Sequence, residues 1–456
     1  MPRLGAGSAC YHRRPRFPPL PDWFPVKRIL PLALLAVLVL PGLFGLFAAE
    51  HAPRVLAASL GGQGAVPLGH AELERGWFTS NVEQRFRLED SGLARLLALA
   101  TGTGAARELI VSATVRHGPL PGLIPALARA DTVYRVVDEH GAVLDAPAAS
   151  RSRVTLTGRV ITDIRLDPVV NRCRPDRGCL DSGGGHLRVE QAARGTPWSL
   201  SGTLEPLSLS GADGRLTLDA LTIRADARAG AGGPRSGQGM ISAGPVTVSA
   251  PDGRAVTLEF IEVASTLDVA EGRLSQTLRF DAPRIVANDG ETAGLRLVLG
   301  IRDLDAATIY RLGRELADSP ADARPARAAR LLTGAWDELA VHGPTLVIEE
   351  LKLENGADTA SGSMQLGLPP ATERSGRGLF GTLYQDLDGR LDLALSEGII
   401  RDLSESDPDQ GHRMAALISL GYLELREGVY RMQAEYAGRE LTVNGRRLSL
   451  PALPAP

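Results

Sequence analysis

One short phrase that contains a histidine occurs twice, and it is the best starting point for chemistry. His117-Gly118-Pro119 is repeated 225 residues later as His342-Gly343-Pro344. A histidine can act as a general base when a positioned partner orients its ring, and the sequence shows no such partner. The phrase is also typical of a strand that ends in a turn, where glycine permits unusual dihedral angles and proline stops the strand. We favour the turn over catalysis.

Other patterns that carry chemistry are weak or missing. The sequence contains no G-x-x-x-x-G-K-[ST] phosphate loop, no H-E-x-x-H zinc motif and no G-x-S-x-G nucleophile elbow. The acidic pairs Glu349 with Glu350 and Asp386 with Asp388 are typical of solvated sheet faces. Residues 229–239 are rich in glycine and could cradle a phosphate, but no lysine or helix-opening hydroxyl follows, so we expect a mobile loop. We expect no cofactor, no metal and no catalytic residue.

An uncharged apolar stretch at residues 29–49 predicts a helix that spans a membrane. As a helix its 21 residues would span roughly 32 Å, which matches the hydrocarbon core of a bilayer. Residues 1–28 carry six basic residues and one acidic residue, so this tail should stay in the cytoplasm. Small alanines at its end leave open a cleaved signal peptide, although apolar regions of that kind are usually shorter. We expect an uncleaved signal anchor and an exported C-terminal region.

The exported region is acidic, which argues against nucleic acid as a partner. Removing the six basic and one acidic residues of the tail from totals of 50 and 53 leaves 44 and 52, a formal charge of −8. Phosphate binding needs a basic patch, and none is visible outside the tail. Only 4% of residues are aromatic, so the core should be aliphatic.

Two of the three cysteines favour a disulfide. Cys173 and Cys179 enclose a short loop with proline and glycine on the exported side, where an oxidising compartment favours a bridge. A reactive or metal-binding pair would need further ligands or a C-x-x-C spacing, and the sequence has neither. Cys10 lies in the cytoplasmic tail and should stay reduced.

Alternation of apolar and polar residues predicts a mainly β (α+β) fold. In residues 154–166 the even positions are mostly apolar and most odd positions are polar, which predicts one long half-buried strand. The buried parity changes between Phe260 and Ile261 and again within 346–353, which indicates a bulge or a twist. Long, bent, one-sided strands predict a large curved antiparallel sheet behind a transmembrane helix. Helical spacing predicts a few packing helices, at 91–100, 303–333 and 409–420.

The same patterns divide the chain into five segments. They are a cytoplasmic basic tail, the transmembrane helix, a first periplasmic β-rich domain, a helical connector and a second periplasmic β-rich domain, at residues 1–28, 29–49, 50–302, 303–334 and 335–456. Pro320 and Pro325 break the connector in two. Asn444-Gly445 is the best signal for a tight hairpin turn in the chain.

Several short phrases, taken in order, resemble the YdgA-like family of bacterial inner-membrane and periplasmic proteins of unknown function. The residues that carry the resemblance are Arg75, Gly76, Phe78, Ser80, His117, Gly118, Pro119, Asn444 and Gly445. The resemblance implies a single-pass inner-membrane protein, with a cytoplasmic N-terminus and a large β-rich periplasmic region, that is able to form homo-oligomers. It supplies no catalytic residue. The long tail and the loop at Cys173 depart from the family pattern.

The sequence itself reveals no biochemical activity and leaves two hypotheses. The first is a non-enzymatic membrane protein whose curved sheet, with an aliphatic concave face, could hold lipid acyl chains or an extended partner strand, in lipid handling or as an envelope scaffold. Its partners would be the bilayer and a lipid ligand or an envelope protein. The second is a periplasmic hydrolase or binding enzyme that uses His117, Ser80 or an acidic pair. It requires His117 or His342 to meet a carboxylate or a hydroxyl in one pocket.

Overall fold

The computed structural model describes most of the chain from residue 65 onward. The described ranges are 65–76, 78–88, 92–117, 126–174, 178–192, 197–212, 214–229, 235–287, 292–317, 324–370, 386–406 and 408–448. The predicted membrane span at 29–49 therefore lies outside the described residues. None of the helices within those ranges is both long and apolar enough to cross a bilayer.

The described residues form 27 strands in one antiparallel sheet. Strands β1 to β9 are Ala65–Pro67, Glu72–Arg75, Thr79–Leu88, Ala106–His117, Ala128–Asp138, Val143–Val154, Val160–Leu166, Val169–Arg174 and Gly178–Ser182. Strands β10 to β18 are Gly185–Gln191, Trp198–Leu204, Leu207–Gly211, Gly214–Leu218, Leu221–Ala229, Arg235–Ala243, Val246–Ser249, Ala255–Leu258 and Ile261–Ala270. Strands β19 to β27 are Arg273–Ala287, Thr292–Asp305, Thr345–Asn355, Asp358–Gly367, Asp388–Ser396, Glu424–Arg426, Val429–Ala437, Glu440–Val443 and Arg446–Leu448.

Six helices accompany the sheet in the described residues. In chain order, α1 to α6 are Gly92–Thr101, Ala306–Ala317, Arg324–Gly334, Trp336–Leu339, Glu397–Ser406 and Pro408–Ser419. The predicted helices at 91–100 and 409–420 correspond to α1 and α6. The predicted helix at 303–333 begins later, because β20 continues to Asp305, and it is divided into α2 and α3.

Most strands follow one another as antiparallel neighbours in a single row. This row runs β3-β4-β5-β6-β7-β10-β11-β14-β15-β18-β19-β20-β21-β22-β23-β25, with short strands at both ends. A second row, β8-β9-β12-β13-β16-β17, lies beyond the ends of these strands and joins the first row at β19. The result is a large open antiparallel sheet.

The two rows are halves of the same long strands. The pairs β7/β8, β9/β10, β11/β12, β13/β14, β15/β16 and β17/β18 are each separated by only two residues. The register continues through these gaps, because Leu204 pairs with Leu221 and Leu207 with Leu218. We call this line of two-residue gaps the crease.

Backbone hydrogen bonds keep the crease in the sheet while the chain changes direction. The Gly183 N–H donates to the Pro206 carbonyl at 2.8 Å. The chain bends at Asp219, Gly244 and Glu259. The predicted change of parity beside Ile261 is therefore confirmed, since the last gap of the crease immediately precedes this residue.

The change of parity within 346–353 is confirmed as well. The register between β21 and β22 shifts between Ile348 and Leu351. Such a shift is typical of a β-bulge, in which one strand has extra residues opposite its partner. This shift lies in β21, outside the crease.

Two local predictions were wrong. Residues 154–166 form a hairpin rather than one strand, because the chain turns after Val154 and Gly158 takes a φ of +78°. Residues 235–239 belong to β15 rather than to a loop. Glycine suits that strand because a Cβ at Gly237 would lie 2.5 Å from the Asp226 carbonyl oxygen of β14.

The helical connector leaves the sheet without interrupting it. Helices α2, α3 and α4 lie between β20 and β21 in the chain, yet β20 and β21 pair directly, from Ala293 with Asn355 to Arg302 with Thr345. Strands from both predicted β-rich domains thus share one hydrogen-bonded sheet. The division into two domains at residue 303 stays a prediction.

Candidate functional site: an uncovered apolar face of the sheet

The strand register places aliphatic side chains on one face of the sheet. Paired residues of neighbouring strands project to the same side, so each register row belongs to one face. One row across β7, β10, β11, β14, β15, β18 and β19 consists of Ile164, Leu187, Gly202, Ile223, Ile241, Val263 and Phe280. The next row on this side is Thr162, Val189, Leu200, Ala225, Gly239, Ser265 and Leu278. We call this side the apolar face.

The opposite side is polar and rich in ion pairs. Its row beside the first one consists of Asp163, Arg188, Ser201, Arg224, Met240, Ala264 and Arg279. Arg279 donates to Asp281 at 2.8 Å, and this hydrogen bond raises the pKa of the Arg279 guanidinium above its usual value. The Arg296 Nε atom lies 2.9 Å from a Glu350 oxygen. This side is a solvated surface.

In the described ranges, helices cover the apolar face only towards its ends. Near one end α1 packs on Phe86, Leu109 and Val136. Towards the other end α2 packs at β18–β20, and α5 and α6 pack on β21–β25. Within the described part of the chain, none of the five buried hydrophobic clusters contains a residue between 155 and 266. The described helices therefore leave the middle of the apolar face uncovered.

Large aliphatic side chains of this middle region keep much of their surface exposed. Ile241 is 43% exposed and Leu278 is 37% exposed. Beyond the crease, Val248 and Val256 are opposite each other in register, and both are exposed. A contiguous exposed apolar surface of this kind marks an interaction site more often than a random feature of a soluble surface.

The crease gives the apolar face two walls. Leu204 and Leu207 flank one gap and are half-buried, whereas Glu205 and Pro206 between them are exposed. The same holds at Leu218/Leu221 and at Leu258/Ile261, which likewise flank pairs of exposed residues. Apolar residues three apart can share a side only if the strand bends between them, so we interpret the pattern as a fold of the sheet towards its apolar face, with the two rows of strands as its walls. We call the space between the two walls the trough.

The trough is long relative to a lipid chain. Seven neighbouring strands, from β7 to β19, cross its first wall. With about 4.8 Å between strands, its length is roughly 29 Å. The hydrocarbon core of a bilayer is about 30 Å thick, so the acyl chains of one leaflet extend over about half of that distance.

The two predicted histidines do not converge. Ten strands separate β4, which ends at His117, from β21, which follows His342. His117 is buried, and neither ring nitrogen has a hydrogen-bond partner among the described residues. Burial lowers the pKa of His117. Gly118 and Pro119 lie outside the described residues.

His342 has an acidic neighbour but no catalytic constellation. Its Nε2 atom lies 3.5 Å from Asp305 Oδ2. The other oxygen of Asp305 accepts the Thr308 N–H at 2.7 Å, which caps the start of α2. Gly343 takes a φ of +74°, and a Cβ there would lie 2.7 Å from the Leu368 carbonyl oxygen. These contacts support the turn hypothesis for this copy of the phrase.

The residues of the resembling phrases occupy structural positions. Arg75 ends β2, and Gly76 follows it in a turn where a Cβ would lie 2.3 Å from the Thr79 carbonyl oxygen. Phe78 is exposed, and Ser80 is buried in β3.

The resembling phrase at Asn444-Gly445 forms a hairpin turn. Asn444 and Gly445 both take positive φ angles between β26 and β27. The Asn444 Oδ1 atom accepts the Gln433 N–H at 2.8 Å and so ties this turn to β25.

The two cysteines of the exported region and the acidic pair Glu349 with Glu350 have local partners. Cys173 and Cys179 face each other across β8 and β9 and form a disulfide. Glu349 pairs with Arg302, and Glu350 pairs with Arg296. In the described ranges no three histidine, cysteine or acidic side chains gather as they would around a metal ion.

Glu349 and Glu350 do line a cleft over β21, β22, β23 and β25, whereas Asp386 and Asp388 do not. Its volume is about 360 Å³, and it contains no histidine. A second cleft of about 460 Å³, at the strand ends near Trp198, also lacks one. Neither cleft provides the arrangement that the enzyme hypothesis requires.

Sequence reasoning anticipated an aliphatic face but missed the crease as a repeated feature. A signal was present, because short interruptions such as Glu205-Pro206 and Gly244-Pro245 separate apolar residues three apart in successive strands. The interruptions are irregularly spaced in the chain, and only strand pairing brings them into one line.

A family model described as bacterial protein of unknown function matches residues 30–451. No curated protein and no solved structure matches the chain. The match fits the bacterial family of unknown function that the short phrases imply, while the narrower YdgA-like name stays a prediction.

Proposed function

The chain belongs to this family, DUF945, whose members are bacterial proteins of unknown function, and from that premise we propose that it is a non-enzymatic protein that binds lipid acyl chains in its trough. The observation that carries the proposal is the combination of exposed aliphatic rows with the lack, among the described residues, of a helix that packs on the middle strands β10, β11, β14 and β15. A functional role explains why such a surface is left exposed.

The side chains that line the trough favour an apolar ligand. Its first row offers five aliphatic side chains, one glycine and one phenylalanine, and none of these can bind a charged or strongly polar group. Charged residues lie on the opposite side of the sheet. An occupant of this surface therefore gains free energy mainly by removing apolar area from water, which is how an acyl chain binds.

The position of the predicted membrane anchor supports a lipid from the adjacent bilayer. Fifteen residues, 50–64, separate the predicted span from the start of β1. A chain of that length reaches at most about 50 Å. If residues 29–49 cross the inner membrane, the sheet is held close to the periplasmic surface of that membrane.

Photocrosslinking in living cells tests this function with a matched pair of positions. A photoreactive p-benzoylphenylalanine at position 241 projects from the apolar face, and one at position 240 projects from the polar side of the same strand. In cells whose phospholipids carry ³²P, we expect a labelled protein band for position 241 and little label for position 240. Equal labelling at the two positions, or none at position 241, contradicts the proposal.

A charge variant provides a quantitative version of this test. Ile241→Asp should lower the phospholipid retained by the full chain in mild detergent by roughly tenfold, since it removes about 1.5 kcal/mol of apolar contact and places a charge on the surface. Met240→Asp, on the polar side, should retain the lipid. A partner protein that co-purifies and crosslinks at position 241 in place of lipid would favour the envelope scaffold.

A further inference from the structure

We infer that the trough is closed at both ends by helices, so that it holds a fixed, small number of phospholipids instead of passing them along the sheet. This inference rests on the proposed function. It concerns how lipids enter and leave the site. A trough that is open at either end could transfer lipids to a neighbouring protein. A trough that is closed at both ends can bind and release lipids only through its open side.

Helix α1 closes the N-terminal end. Ala98 of α1 and Phe86 of β3 are both fully buried in the cluster that this helix forms with β3–β6. Leu93 and Leu97, one helical turn apart, pack against the same cluster. The helix also contacts β8 and β9, which are the first strands of the second wall. It therefore packs on β6, the strand beside β7, and on the second wall, where the trough begins.

Helices α5 and α6 close the C-terminal end. The first row of the apolar face continues from Phe280 through Leu297 and Leu351 to Leu393 and Met432. These last two residues lie in the cluster that also contains Ile399 and Ile400 of α5 and three residues of α6, Met414, Leu417 and Ile418. The row is thus still apolar at this end of the sheet, but here helices α5 and α6 cover its side chains.

The dimensions of the enclosed part set its capacity. Eight strands, from β7 to β20, lie between those beneath α1 and those beneath α5 and α6, so the enclosed part is roughly 34 Å long, and the acyl chains of one leaflet extend over about 15 Å. Chains that lie along the crease would fill this length with one phospholipid or with two placed end to end. We expect one or two phospholipids for each protein chain.

A series of photocrosslinking positions tests the closed ends separately from lipid binding itself. Positions 223 and 263 lie in the uncovered middle of the apolar face. Positions 134 and 393 lie on the same face, and their native side chains pack in the clusters beneath the end helices. With ³²P-labelled phospholipids in cells, we expect crosslinks at 223 and 263 and none at 134 and 393. Thermal unfolding of each purified variant shows that it is folded.

The outcomes distinguish the two proposals. Crosslinks at all four positions overturn the closed ends and leave lipid binding intact. Labelling at none of them overturns the proposed function.

Native mass spectrometry of the unmodified full chain provides an independent readout. We expect one or two bound phospholipids, and we expect that number to stay constant as the lipid-to-protein ratio is raised. A broad distribution that grows with the ratio overturns a closed trough.

Discussion

At the scale of single residues, His117 is a buried base without a partner. The residue is 4% exposed, and both ring nitrogens lack a hydrogen bond within the described part of the chain. A buried polar group without a partner costs about 1–3 kcal/mol. Because burial favours the neutral ring, the pKa of His117 in the folded protein lies below the ordinary value of 6.5.

The lowered pKa makes a prediction about stability and pH. As the pH falls through 6.5, His117 binds a proton in the unfolded chain before it does so in the folded protein. The free energy of unfolding therefore has its full value above pH 6.5 and decreases as the pH falls towards the lower pKa of the folded state. His117→Leu should reduce this loss and raise the free energy of unfolding at pH 7.5 by about 1 kcal/mol. Guanidinium unfolding between pH 5.5 and pH 7.5 measures both effects. His412→Leu, at an exposed position on α6, is the control and should retain the wild-type pH dependence. A destabilised His117→Leu variant would indicate that the imidazole has a role that leucine cannot replace.

At the scale of secondary-structure elements, α1 owes its position to small residues on its buried side. Ala98 is fully buried against the sheet, whereas Leu96 on the same helix is 51% exposed. The close approach of helix and sheet leaves no room for a larger side chain at position 98.

Substitutions in α1 test this packing. Ala98→Leu should lower the free energy of unfolding by about 1–3 kcal/mol, because the added atoms force the helix away from the sheet. Leu96→Ala should change it by less than about 0.5 kcal/mol, since it alters an exposed position. Chemical denaturation of the two variants measures the difference. Similar effects of the two substitutions would mean that α1 does not pack as described.

At the scale of the whole molecule, the proposed function depends on which compartment contains the sheet. If residues 29–49 are an uncleaved anchor, the protein should be found in the membrane fraction, and protease added to spheroplasts should digest the sheet while a cytoplasmic marker survives. Replacing residues 1–49 with a cleavable secretory leader should move the protein to the soluble periplasmic fraction. A native chain that begins after Ala49, or a sheet that resists protease in spheroplasts, contradicts the anchor.

Local patterns in the sequence determined much of the fold. Successive side chains of a strand point to opposite sides whatever the strand pairs with, so the mainly β fold and the parity change beside Ile261 could be predicted. Turn chemistry is local too, because Asn444 and Gly445 tolerate the positive φ angles that their turn requires. The same reasoning failed at 154–166, where the alternation continues across a hairpin turn and only Gly158 marks the break.

The tertiary structure alone decided which apolar residues are covered. Alternation along a strand shows that one side is apolar, but a helix far away in the sequence determines whether that side becomes a core or a surface. Leu393 and Ile241 lie on the same face of the same sheet, and the first packs in the α5–α6 cluster while the second remains exposed. Burial depends on contacts between distant segments, whereas side-chain direction depends on the local backbone. For this reason the sequence could predict an aliphatic face, and only the arrangement of strands and helices located the trough.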